Sequence, residues 1–255
     1  MTATTHVPAV RPRSRFVAII RFTLQSCLPM RRWVGVLLPS LGALLFALLS
    51  RAADAPAPEA FAHVAAEGIF SLLVPVAALV IGDAVLGAEV RAGTFQFTWL
   101  SPAPFWQIIV GRWLAGSAVA LVTIAPACAL AALVAGVPEA AGPAYLAGAA
   151  GSLAYIALFI AVASITRRTA VWSLAIVFLV ERLLGAALSG IAQVSPTWLS
   201  RAVFVGHLDD PPRRLLRDGV PLGNDAVVRL AIVTTVSLLI ALWRVRHMRL
   251  SGATD

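Results

Sequence analysis

The chain has 255 residues, of which 60% are hydrophobic and only 13% charged, with a mean hydropathy of +0.88. A soluble domain carries about 25% charged residues, so this composition excludes an ordinary soluble protein and indicates an integral membrane one. The formal charge is +8, carried entirely by arginine because the sequence contains no lysine. In so apolar a chain this charge belongs at lipid headgroups rather than on nucleic acid.

In chain order, the first element is an amphipathic stretch before any span. Phe16, Ile19, Ile20, Thr23, Leu24, Cys27 and Leu28 recur at helical spacing, with Arg21 and Gln25 on the other face. The pattern predicts an interfacial helix lying in the headgroup plane and ended by Pro29, or alternatively a helix packed on the bundle. Apolar stretches long enough to cross a bilayer, about 20 residues, follow near 33–50, 68–86, 110–134, 146–165, 170–192 and 226–243. The expected architecture is an all-α, six-span bundle over 33–245 in a single domain covering 1–255, with tails at 1–32 and 246–255. The small residues after the first span resemble a signal-peptidase site, but its late position argues against removal.

Arginine position gives the sidedness. Arg11, Arg13, Arg15, Arg21, Arg31 and Arg32 precede the first span, Arg91 and Arg112 flank the second connection, Arg167 and Arg168 fill the fourth, and Arg244, Arg246 and Arg249 follow the last. Arg51 and the acidic Asp54, Glu59, Glu67 and Glu139 fall on the other side. The positive-inside rule places both termini in the cytoplasm of a multi-pass protein of the cell membrane. The long stretch from about Gln193 to Asp225 falls outside by this count, with mixed charge and expected short helices of its own. The alternative is a re-entrant span that leaves this stretch cytoplasmic.

Between the second and third spans lies GAEVRAGTFQFTWLSPAP, Gly87 to Pro104. On one continuous helix, Leu86, Val90, Gly93, Phe97 and Leu100 form an apolar stripe and Gly87, Arg91, Thr94 and Thr98 a polar one. The expectation is that the apolar face packs under the membrane domain while the polar face is offered to a partner.

The chemistry available is narrow. A phosphate-binding P-loop needs a lysine that reaches the terminal phosphates, which a lysine-free chain cannot supply. There is no H-E-x-x-H pair and no G-x-S-x-G elbow, and the four histidines lie singly without metal-ligand spacing. Cys27 and Cys128 read as buried thiols rather than a disulfide framework. Gly142–Gly151 and Gly185–Gly190 read as small-residue surfaces for close helix approach. Pro75 and Pro126 are expected to kink their spans. Glu181 and Arg182 fall inside the fifth span, where each costs on the order of 3 kcal/mol. A polar lock between helices, a substrate pathway and catalysis all remain open for this pair.

Glu89, Gly93-Thr94, Pro102 and the run Ile108-Ile109-Val110-Gly111-Arg112-Trp113-Leu114 resemble the coupling loop and following helix of ABC-2 type ABC transporter permeases. Arg112 stands where that family often has lysine, and FQFTWLSPAP is more aromatic than the usual leucine-rich version. The resemblance implies a transmembrane subunit of an ATP-driven exporter, itself not an enzyme; the apolar lining of such a pathway would suit a hydrophobic drug, peptide or lipid. It further implies a second permease copy, homo- or heterodimeric, an external helical cap between the fifth and sixth spans, and a separate P-loop ATPase subunit that binds ATP and Mg. Glu89, Arg91, Gly93, Thr94, Phe97 and Pro102 become the expected coupling residues. A secondary transporter and a membrane-embedded enzyme using Glu181 and Arg182 are the competing readings.

Overall fold

The computed structural model describes residues 12–27, 30–53, 56–216 and 219–247, all helical or connecting, with no strand among them. The Pro29 stop, the tails at 1–11 and 248–255, and Arg11, Asp54, Arg217, Asp218 and Arg249 lie outside the described residues.

The helices are α1 (Pro12–Cys27), α2 (Met30–Arg51), α3 (Ala57–Ala92), α4 (Phe95–Trp99), α5 (Phe105–Ala135), α6 (Pro138–Ile165), α7 (Thr169–Ala187), α8 (Ser189–Ala192), α9 (Pro196–Gly206) and α10 (Asn224–Arg246). Five of them, α3, α5, α6, α7 and α10, are long and apolar enough to cross a membrane. In α2 the described apolar stretch is the shorter Pro39–Arg51. The chain is thus a helical protein of integral-membrane character.

Except for α7, the helices exceed the apolar stretches in the sequence, because hydropathy marks where lipid contact is possible and not where the backbone stops being helical. At 36 residues α3 is about 50 Å long, well beyond a 30 Å hydrocarbon core. Its charged residues therefore gather toward its two ends. It contains two π-helical segments, Ala65–Leu73 and Asp83–Gly87. The first ends just before Pro75, whose ring nitrogen has no proton to donate; Val74 N–H reaches back five residues to Ile69 O. Ser71 bonds Ala66 O at 2.7 Å across the same widened turn.

α6 is the central helix, packed by α5, α10, α3 and α9, and it is the most buried of the five. Small residues make that possible. At Gly148 an added Cβ would press on Cys128 of α5, and at Gly151 on Ser200 of α9, whereas Gly142 and Gly190 face open space. The small-residue surfaces are thus real at Gly148, Gly151 and Gly185, the last of which meets the Trp198 indole. α7 and α10 are peripheral, with most of their apolar surface turned outward.

α1 packs along α5: Phe16 and Ile19 lie against Gly111, and the Phe16 and Trp106 rings are 6.2 Å apart. Thr23 and Cys27 are buried while Arg21 and Gln25 are exposed, as the periodicity requires. After α7, which ends at Ala187 rather than near 192, α9 folds into the core. Leu199, Val203 and Phe204 are fully buried, and Phe204 meets Phe61 and Phe70 at 6.1 and 5.0 Å. A connection with its own helices is therefore present between α7 and α10, and its main helix is a core element.

Candidate functional site

Between α3 and α5 the chain turns abruptly at Gly93 from the end of α3 into the short helix α4. Gly93 takes φ +72°, Gly93 N–H bonds Val90 O at 3.2 Å and Thr94 N–H bonds Glu89 O at 3.0 Å. These are the two bonds of a Schellman motif, which favours glycine because the left-handed region crowds a Cβ. The turn breaks the helical phase, so the expected single stripe from Leu86 to Leu100 does not exist. Leu86 is buried, but Phe97 is 71% and Leu100 67% exposed. Beyond Gly93, Phe95 is buried and Trp99 packs against the core, while Phe97 and Leu100 point out. The outward surface therefore mixes apolar Phe97 and Leu100 with exposed Arg91, Thr94 and Gln96, and the expected separation into an inner apolar and an outer polar face does not hold.

What holds the segment is Arg112 of α5, with 1% of its side chain exposed. Its Nη2 donates to Glu89 Oε2 at 2.7 Å and to Thr98 Oγ1 at 3.4 Å, Nη1 donates to the Val85 carbonyl, and the guanidinium lies over the Phe95 ring at 5.8 Å. Thr98 also donates to Glu89 Oε2 at 3.4 Å. One guanidinium thus ties α3, α4 and α5 together, joining Glu89 and Arg112 of the sequence motif with Thr98, which lies outside it. Charge-assisted bonds of this kind are the strong class, and the planar fork of arginine is suited to making several at once.

Further bonds seat the segment on the bundle. Trp99 Nε1 donates to Val245 O near the end of α10 at 3.0 Å, the Trp99 and Phe105 rings are 5.7 Å apart, and Arg15 of α1 reaches Pro102 O at 3.3 Å. Pro104 is extended and starts α5. Arg91 does not join the clamp but forms a two-pronged pair with Asp83 at 2.9 and 3.0 Å. Thr94 bonds only locally, to Glu89 O at 3.4 Å. Of the six expected coupling residues, Glu89 enters the clamp and Gly93 and Thr94 form the turn. Pro102 accepts from α1, Phe97 protrudes, and Arg91 stands apart.

The second charged site lies at the other end of α7, where Glu181 and Arg182 diverge. Glu181 is 3% exposed, and its Oε2 accepts from the Tyr155 hydroxyl, from Thr197 Oγ1 at 2.6 Å, from Ser195 Oγ at 2.9 Å and from Thr197 N–H at 3.1 Å. Ser195 and Thr197 bracket Pro196 at the start of α9, so the carboxylate occupies the place of a capping side chain on another helix. The helix dipole there favours negative charge. Trp198 Nε1 closes the contact on Glu181 O at 3.0 Å.

Arg182 instead reaches Glu67 of α3 at 3.5 Å, and Arg201 of α9 reaches the other oxygen of Glu67 at 2.7 Å while its guanidinium lies 4.6 Å from the centre of the Trp198 ring. Glu67 is 53% exposed. Sequence reasoning passed over Tyr155, Ser195, Thr197, Glu67 and Arg201. The one available signal was Ser195-Pro196-Thr197, a serine before proline that marks a helix start. Compared with protein-family models and with curated proteins, the chain matches none.

Proposed function

We propose that the chain is the membrane subunit of an ATP-driven exporter of the ABC-2 type. Two copies enclose the pathway, and a separate P-loop ATPase, which binds ATP and Mg, docks on the segment from Gly87 to Pro104. In this reading the protein is a single permease domain of the cell membrane, with six spans, both termini and the docking segment in the cytoplasm, and α9 with its flanks as the external cap. The observation that carries it is the Arg112 clamp beneath an outward-facing Phe97 and Leu100. A load applied to that apolar tip passes through fixed, buried hydrogen bonds into α3 and α5, and a coupling device needs such a rigid path.

Glu67 and Arg182 give secondary support. A half-exposed ion pair on helices that are otherwise lipid-compatible is poorly matched to hydrocarbon and suits a water-lined pathway or a facing second copy. Glu181, held by four donors, serves as a lock between helices rather than as a member of that pathway.

The test is whether a P-loop ATPase is encoded beside the gene and co-purifies with the chain, followed by reconstitution of the pair, reading ATP hydrolysis and uptake of lipophilic compounds in inverted vesicles. Phe97→Asp combined with Leu100→Asp should leave a folded chain and weaken the complex by about 100-fold, from lost burial of two large apolar side chains. Retained ATPase binding and transport in that variant would reject the docking reading.

A further inference from the structure

Arg91, at the end of α3, and Arg167 and Arg168, in the turn between α6 and α7, converge on an open cavity of about 470 Å³ that they line with Ala170 and Val171. The convergence follows from packing. Gly87 of α3 lies so close to α7 that an added Cβ would come within 3.3 Å of the Thr169 side chain, bringing the last turn of α3 beside the first of α7. The only carboxylate bound to any of the three arginines among the described residues is Asp83, paired with Arg91. Glu89, the other nearby acid, is taken by Arg112. Three positive charges against one negative leave two uncompensated, both on exposed side chains.

The rest of the rim is apolar. Val171 and Trp172 are exposed, and beyond them Leu174 and Phe178 continue the same outward surface of α7 along a helix apolar enough to cross a membrane. An arginine cluster at one end of an apolar track matches an amphiphile with an anionic head. Arginine forks suit phosphate oxygens, and an interfacial tryptophan suits the headgroup boundary.

We propose that Arg91, Arg167 and Arg168 bind the phosphate of an anionic membrane lipid whose acyl chains lie along α7. The site is independent of the exporter reading. It takes in Arg91 at the start of the Gly87–Pro104 segment, so an occupied site links α3 to the α6–α7 turn through the phosphate.

The experiment is native mass spectrometry of the full purified chain, offered equal amounts of phosphatidylglycerol and phosphatidylcholine with identical acyl chains. The wild type should retain phosphatidylglycerol preferentially. Arg167→Gln with Arg168→Gln should lower that preference by about tenfold, from two lost headgroup contacts, and Arg91→Gln should lower it less because Asp83 already holds that side chain. Arg244→Gln with Arg246→Gln, removing two arginines at the end of α10, should leave it unchanged. Millimolar inorganic phosphate should not displace the lipid. An equal loss in the α10 control overturns the site, and displacement by inorganic phosphate overturns the lipid as its ligand. Unchanged retention in the Arg167 and Arg168 variant, the outcome expected if these arginines serve an acidic protein surface, overturns the proposal as well.

Discussion

Glu89 and Glu181 sit at opposite ends of the bundle and are withdrawn from solvent by different means. Glu89 meets a full opposite charge, Arg112, which is itself buried and uses its remaining donors on Thr98 and a backbone carbonyl. Glu181 meets no cation among the described residues. The Tyr155 hydroxyl of α6 and, at the start of α9, two hydroxyls and one backbone N–H converge on a single oxygen. An ion pair joins elements through two side chains that must both be present, and losing either strands the other. A carboxylate held by neutral donors is forgiving toward any group that still accepts. The first arrangement is a mechanical joint, and the second a cap that fixes where a helix begins.

The largest effect should come from deleting the cap. Glu181→Leu leaves the donors of Tyr155, Ser195 and Thr197 without their acceptor and should cost about 3 kcal/mol or more, read as a lowered unfolding midpoint in detergent. Glu181→Gln keeps an acceptor and should cost about half as much. If the two variants fall equally, charge rather than hydrogen bonding holds α9, and the contrast with Glu89 collapses.

Next comes the joint. In a double-mutant cycle of Arg112→Met and Glu89→Gln, the two losses should fall short of additive by about 1 to 3 kcal/mol, since the groups touch. Simple additivity would mean the clamp is a contact without coupling. Arg112→Lys should recover only part of the loss, because an ammonium cannot reach Glu89, Thr98 and Val85 O with one planar fork.

Gly93 refines the same end. Its Cβ direction is open, so bulk is not the obstacle; the backbone conformation is. Gly93→Val should cost about 1 to 2 kcal/mol and Gly93→Asn clearly less, because asparagine tolerates the left-handed region. Equal losses would show that the turn is not maintained in the working protein. The smallest effect belongs to Arg182→Gln, whose 3.5 Å pair with Glu67 is partly exposed and should contribute under about 1 kcal/mol to stability. A marked loss of transport at normal abundance would then assign Arg182 to the pathway.

The same contrast explains what could be read in the sequence. Glu89, Gly93 and Arg112 lie within two dozen residues, so helix geometry and a known motif bring them into view together. The cap on α9 joins Tyr155, Glu181 and Thr197 from three helices, and Glu67 joins Arg182 across 115 positions. No local period encodes such pairings. They arise from the order in which α3, α6, α7 and α9 pack, and an excess of apolar residues on every face leaves that order unmarked. The apolar stripe failed for a related reason: one glycine with positive φ resets the helical phase, and a helical projection assumes that phase to be continuous.

The hydrogen bond from Trp99 to the Val245 carbonyl carries a practical consequence. The final turn of the last long helix and the protruding segment share one anchor, so neither moves without the other. A fluorophore placed at His247, whose ring lies tilted 5.0 Å from that of Trp243, would track displacement of the segment without touching it. A truncation that removes Val245 should release the indole, leaving the Arg112 clamp intact but the outer half of the segment untethered.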